Sequence, residues 1–243
     1  SFIAHEYFHL FNVKSIRPIA LGPFDYDREN YTNMLWFSEG VTVYYESLLL
    51  NRAGLMTREG VLERLGSTIA DYENAPGRRH QSAILSSFDT WTGFFGRSEH
   101  AANTSISYYD IGCGLGLLLD LKIREASKGR SSLDDVMRTL YRTFYKEKMR
   151  GFTDREFRDV CEKAADVPLG EIFDVYAATV EKWDYAKYLK CAGLAIDLDP
   201  KPAAEPWFGA STQDRNGKAV VSIVEPGSPA ALAGLSAEDE ILA

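Results

Sequence analysis

The first fourteen residues read SFIAHEYFHLFNVK, and the segment His5-Glu6-Tyr7-Phe8-His9 decides how the rest is interpreted. Its spacing predicts a helix over residues 2–14, with Phe2, Glu6 and His9 near one face and His5 and Phe8 close beside. Helical positions i and i+4 lie one above the other. His5 and His9 can therefore aim two imidazoles at one zinc ion, which takes nitrogen and oxygen ligands at about 2.0–2.2 Å. Glu6 stands one residue along, about 100° around the helix. From there a carboxylate can reach a water on the metal without replacing it, as a general base must. The chain has only four histidines, and two fall in this pattern among Phe2, Ile3, Phe8, Leu10 and Phe11. The plainer alternative is two ordinary helix histidines beside a surface glutamate.

A zinc site of this kind needs a third ligand. Glu39 is the best candidate. It lies in Trp36-Phe37-Ser38-Glu39-Gly40, inside the apolar stretch LWFSEGVTVYYESLLL at residues 35–50, read as a buried helix. A carboxylate there is costly unless it is paired or bound to metal. Pairing with an arginine, or capping the helix start near Leu35, are the alternatives. Glu46, two turns further on, is a candidate acceptor for a ligand imidazole N–H, against solvent exposure or another pairing. Tyr108 and Tyr109 head the next strongly apolar segment after a loop. A phenol there can donate to a developing oxyanion, although plain packing explains a tyrosine equally well.

The remaining chain sets the frame. Its 243 residues carry a formal net charge of -8, with 45% hydrophobic and 12% aromatic residues. That is ordinary globular composition with ample material for a core, and it argues against disorder. The acidic balance argues against a broad nucleic-acid footprint. A short basic run at residues 146–150 reads as the solvated end of a helix. Cys113, Cys161 and Cys191 are far apart and odd in number, which suits separate thiols better than a disulfide framework. No apolar run reaches membrane-spanning length. Charge and cysteine usage fit cytoplasm and bacterial periplasm alike.

The expected fold is mainly α, followed by a small strand-containing part. Residues 15–34 read as irregular, punctuated by Pro18, Gly22 and Pro23. Thr57 is a plausible cap for a helix ending at Pro76 and Gly77, and residues 77–107 read as a long surface excursion. Helices are expected at residues 108–127, 133–146 behind Ser132, 154–165 behind the Thr153/Glu156 capping pair, 168–180, and 184–191. Residues 197–209, rich in proline, read as a linker or an edge between units. KAVVSIV then alternates as a strand, and EPGSPAALAGL as a turn and short helix.

At this point the residues resemble a known family. HEYFHLFNVK followed by Ile16-Arg17-Pro18, then Pro23-Phe24-Asp25-Tyr26, Tyr31-Thr32 and residues 35–45, is similar to the zinc segment of the glycyl aminopeptidase family. These are gluzincin metallopeptidases whose catalytic domains look like thermolysin. The resemblance implies Glu39 as third ligand. The motif Ser107-Tyr108-Tyr109-Asp110-Ile111-Gly112 resembles a tyrosine motif of this and neighbouring families, which implies that Tyr109 stabilises the tetrahedral intermediate. Ile111 departs from it, since lysine is usual there. Residues 210–243 resemble the first half of a PDZ-like domain, with Trp207-Phe208-Gly209 near a peptide-carboxylate loop and Glu238 where glycine is usual.

The resemblance divides the chain into a helical gluzincin catalytic region at residues 1–196, a linker at 197–209 and an incomplete PDZ-like part at 210–243. It implies a zinc aminopeptidase that releases small N-terminal residues, Gly or Ala, from peptides by Glu6-assisted attack of water. A peptide ligand for the PDZ-like part is a further implied partner, while nucleic acid and a membrane span are not expected. The rival is an inactive relative serving as a peptide-binding module, motivated by Ile111 and Glu238. Ser1 is not a methionine, and the chain is expected to be cut short at both ends, with a β-domain and an amino-terminus-recognising strand before Ser1.

Overall fold

A computed structural model describes residues 1–93, 95–96, 98–198 and 206–242. Side-chain caps start most of the longer helices. Helix α1 is Phe2–Phe8, and a π-helix at Trp36–Gly40 runs directly into α2, Val41–Arg52. Thr57 accepts from Gly60 N at the head of α3, Arg58–Asn74, and Ser82 accepts from Leu85 N before α4, Ala83–Phe88. Two single turns follow, α5 at Thr90–Gly93 and α6 at Ala101–Thr104. Ser107 caps α7, Tyr108–Ala126. Helix α8, Leu133–Leu140, begins where Ser132 N donates to the Asp135 carboxylate at 2.9 Å. Helix α9, Asp154–Ala165, begins at the reciprocal Thr153/Glu156 box. Asp184 caps α10, Tyr185–Leu189.

The core is organised around α7. Ile111, Leu115, Leu118, Leu119 and Ile123 are fully buried on it. Its glycines admit neighbours at close range. Gly112 meets Gly40 and Trp36 of the π-helix, Gly114 lies under the Trp183 ring, and Gly116 faces Tyr44 of α2. This contact fixes the turn carrying Glu39 against the main chain of α7. Polar anchors add to it: Tyr44 OH donates to Asp120 at 2.8 Å, and Leu133 N donates to the other Asp120 oxygen at 2.7 Å.

The C-terminal part is a small antiparallel sheet in the order β1-β2-β3, with β1 at Ala210–Arg215, β2 at Lys218–Val224 and β3 at Glu240–Ile241. Asn216 and Gly217 both take positive φ in the β1–β2 turn, as a tight hairpin requires. Helix α11, Pro229–Leu232, is capped by Ser228. The register slips between Ser211 and Thr212. Asn103 of α6 bonds across that irregularity, donating to Ser222 O at 3.3 Å and accepting from Val224 N at 2.9 Å. Glu238 adopts φ 74°, the left-handed backbone that glycine takes more easily, and its carboxylate pairs with Arg215.

The mainly α architecture with a small terminal sheet agrees with the sequence. Several boundaries do not. The first helix stops at Phe8 rather than near residue 14, because the chain turns so that Phe11 N and Asn12 N both donate to Phe8 O. Residues 35–50 divide into a π-helix and an α-helix. The helices expected at 133–146 and 168–180 contain π-helical stretches at Tyr141–Glu147 and Glu171–Tyr176.

The described residues of 91–105 are exposed or half-buried as expected, but residues 77–90 are not part of a surface excursion, since Gly77, Arg78, Ala83, Ser86, Ser87 and Thr90 are buried there, as is Ile106. Their polar groups close backbone bonds: Ile106 N donates to Gln81, Ser86 Oγ donates to Ile106 O, and Trp36 N donates to Ser87 Oγ. Residues 199–205 of the expected linker lie outside the described residues. Among the described residues, no helix is long and apolar enough to cross a membrane. Cys113 and Cys161 are buried thiols and Cys191 is exposed. The basic run ends in a bidentate pair, Arg150 to Glu156 at 2.6 and 2.8 Å, with Lys148 on the same carboxylate at 3.2 Å.

Candidate metal centre

His5 and His9 stay one helical turn apart although α1 ends between them. His9 occupies the cap position with helical backbone angles, and its N–H still donates to His5 O at 3.2 Å. The two rings meet edge to face, with centroids 4.7 Å apart. His9 Nε2 lies 3.1 Å from His5 Nε2. Glu39 Oε2 lies 3.3 Å from His5 Nε2 and 3.2 Å from His9 Nε2. Three atoms, from one helix turn and from the π-helix, thus form a nearly equilateral triangle.

That triangle fits a tetrahedral metal. Ligands about 2.0–2.1 Å from a central ion, at the tetrahedral angle, stand about 3.3 Å from one another. Among the described residues, His5, His9 and Glu39 are the group of ligand-type side chains that could hold a metal ion. The opposite ring nitrogens are already engaged. His5 Nδ1 lies 3.3 Å from Glu46 Oε2, and His9 Nδ1 donates to the Asn12 carbonyl at 2.6 Å. Both Nε2 atoms are thereby turned toward Glu39. Two imidazoles and a carboxylate are a donor set that would suit zinc.

The electrostatics of the metal-free cluster follow from this geometry. The contacts of His5 with Glu39, and then with Glu46, raise its pKa to about 9 against the opposing effect of burial. Glu39 likewise raises His9. Burial pushes Glu39 up, but the hydrogen bonds from His5 and His9 outweigh it and hold the carboxyl down at about 2. His5, between two carboxylates, therefore carries protons on both nitrogens in neutral solution when no cation is bound.

The cluster opens into a cleft of about 600 Å³. Glu6, Arg64, Asp71, Tyr109 and Asp110 line it with the three candidate ligands. Glu6 is exposed on α1. The Tyr109 ring is 6.1 Å from that of His5, and burial followed by the Glu39 charge raises its pKa, so its hydroxyl keeps its proton. Ile111 is 0% exposed and packed in the core. Its departure from the expected lysine is thus a matter of packing under α7 and not of the cleft wall.

Glu46 faces the imidazole of the candidate ligand His5, its Oε2 3.3 Å from Nδ1, and Arg64 also reaches it at 3.3 Å. Sequence reasoning passed over Asn12, Arg64 and Gly112. Asn12 leaves one trace in the sequence, as an amide among Leu10, Phe11 and Val13; Arg64 leaves none, because it sits on an otherwise ordinary amphipathic helix.

Comparison with known proteins bears on the same segment. Residues 1–115 match the family model described as M61 glycyl aminopeptidase. The crystal structure of an aminopeptidase N family protein from Idiomarina loihiensis superposes with a TM-score of 0.84 at 30% sequence identity. The match covers 100% of this chain and 43% of that one, so the chain spans less than half the length of its relative. No curated protein matches.

Proposed function

We propose that this chain, whose residues 1–115 match the M61 glycyl aminopeptidase family model, carries the zinc centre of a metallopeptidase that releases small N-terminal residues, Gly or Ala, from peptides. The observation that carries this reading is the triangle of His5 Nε2, His9 Nε2 and Glu39 Oε2, with sides of 3.1 to 3.3 Å, at the floor of an open cleft. When bound, zinc supplies Lewis acidity toward a carbonyl oxygen and toward water. Glu6, on the cleft rim, takes the proton of the attacking water and passes it to the leaving amine. The protonated Tyr109 hydroxyl donates to the oxyanion as it develops. Glu46 keeps the His5 ring oriented. The preference for Gly and Ala rests on the family type alone.

Residues 210–243 are assigned to a PDZ-like part that takes a peptide ligand. Supporting this are the β1–β2 hairpin, the capped turn of α11, and the way Gly209 O is held by Glu225 N and Ser228 Oγ.

The full-length protein tests the enzyme. One bound zinc per chain is expected, along with hydrolysis of glycyl and alanyl reporter amides faster than a leucyl one. Glu6→Ala is expected to keep the metal and lose turnover. A folded wild type that retains no zinc, or a Glu6→Ala variant with unchanged turnover, overturns the proposal.

A further inference from the structure

Asn12 is fully buried, although Leu10 and Phe11 just before it are exposed. Its side-chain nitrogen lies 3.2 Å from Phe37 O, 3.3 Å from Ser38 O and 3.1 Å from Thr42 Oγ1. Phe37 and Ser38 belong to the π-helix that carries Glu39. A π-turn, with its i to i+5 bonding, is wider than an α-turn, is rare, and occurs frequently at functional sites. The Asn12 amide grips that turn from outside its own ladder, and Thr42 Oγ1 reinforces it by donating to Ser38 O at 2.7 Å. The main-chain oxygen of the same residue accepts from His9 Nδ1 at 2.6 Å. One residue thus holds the second imidazole through its backbone and the carboxylate turn through its side chain.

The Asn12 side chain bonds through its N–H donors alone. Its Oδ1 is buried without a hydrogen-bond partner, and an unsatisfied polar atom of that kind costs about 1–3 kcal/mol. We propose that Asn12 is a positioning residue which sets the distance between His9 and Glu39 and leaves His9 Nε2 as its metal-binding atom. The inference rests on the zinc reading given above. It predicts a particular coupling: the side chain of Asn12 acts on metal affinity through Glu39 and through nothing else.

Zinc affinity of the full-length protein, measured by chelator competition, tests this in a four-member cycle of wild type, Asn12→Ala, Glu39→Ala and the double variant. Asn12→Ala is expected to weaken zinc binding about 10- to 100-fold, the usual effect of losing a partner that orients a ligand. In the Glu39→Ala background the same change is expected to do nothing further. An equal loss in both backgrounds, or no loss in folded Asn12→Ala, overturns the inference. Asn12→Asp, which keeps the shape and loses the N–H donors, repeats the test should the alanine variant not fold. Independently of any variant, ¹⁵N spectra of the zinc-loaded wild type are expected to show His9 protonated at Nδ1 and coordinated through Nε2; the opposite tautomer overturns the inference. Failure of the wild type to bind zinc at all is a separate outcome, visible without any Asn12 variant, and it removes the zinc reading together with this one.

Discussion

Gly40 and Gly112 touch backbone to backbone: a β-carbon built on Gly40 would fall 2.3 Å from Gly112 Cα, and one built on Gly112 would fall 2.0 Å from Trp36 O. The turn carrying the candidate ligand Glu39 is therefore seated directly on the main chain of α7. Neither position leaves room for a methyl group, and backbone atoms on both sides cannot swing aside as a flexible side chain would.

Gly112→Ala is accordingly expected to destabilise the protein by about 1–3 kcal/mol or more, the usual cost of overpacking a tight contact. It should also lower zinc affinity, because the displaced backbone is that of the Glu39 turn. Thermal unfolding and chelator competition on the same preparation check both effects. A variant as stable as wild type would show that the two backbones are free to part.

Glu46 supplies a second prediction. The residue is 3% exposed, and its carboxylate faces His5 Nδ1 at 3.3 Å. Glu46→Ala removes the acceptor that orients the ring, and zinc affinity should fall about 10- to 100-fold. Glu46→Gln keeps one oxygen able to accept from Nδ1–H, so its loss should be smaller. Equal losses for the two variants would mean that charge, and not ring orientation, is what Glu46 contributes.

Much of this site could be read in advance, for a definite reason. His5, Glu6 and His9 are tied by local helical spacing, and the caps at Thr57, Ser132 and Thr153 use side-chain bonds that reach within three residues. Glu39 stood out because an acid in an apolar run needs a partner. The π-helices were invisible, since their lengthened turns answer to tertiary contacts such as Gly40 on Gly112 and Asn12 on Ser38. Residues 77–90 were misread for a related reason. Polarity there serves buried backbone groups, as where Gln81 and Ser86 bond both ends of Ile106, and composition does not distinguish a polar residue facing water from one facing a carbonyl.

Tyr109 gives a kinetic prediction. Burial and the Glu39 charge keep its hydroxyl protonated through the neutral range, which makes it a donor. Tyr109→Phe should lower kcat about 10²- to 10³-fold, comparable to removing one oxyanion donor elsewhere. KM and bound zinc should stay near the wild-type values, because the bond is made only as charge develops. A large loss of zinc in this variant would assign the ring a packing role against His5.

The last prediction concerns pH. Without metal, His5 is protonated up to about pH 9, above the ordinary histidine value of 6.5, because Glu39 and Glu46 flank it. For the metal-free fold the sign is that of a raised group: the stabilisation is complete below pH 6.5 and is lost as pH rises through about 9. Zinc requires the neutral imidazole, so binding must expel that proton anywhere below about pH 9. Apparent zinc affinity should therefore climb with pH, by about a factor of ten per unit for each proton displaced, and should level off near pH 9 as far as His5 is concerned. Chelator-buffered titrations from pH 6 to 9.5, with proton release followed in parallel, check this. Glu46→Gln removes one of the two flanking charges, so its plateau should arrive at lower pH. An affinity that levels off near pH 6.5 in the wild type would mean that Glu39 and Glu46 do not hold the His5 proton.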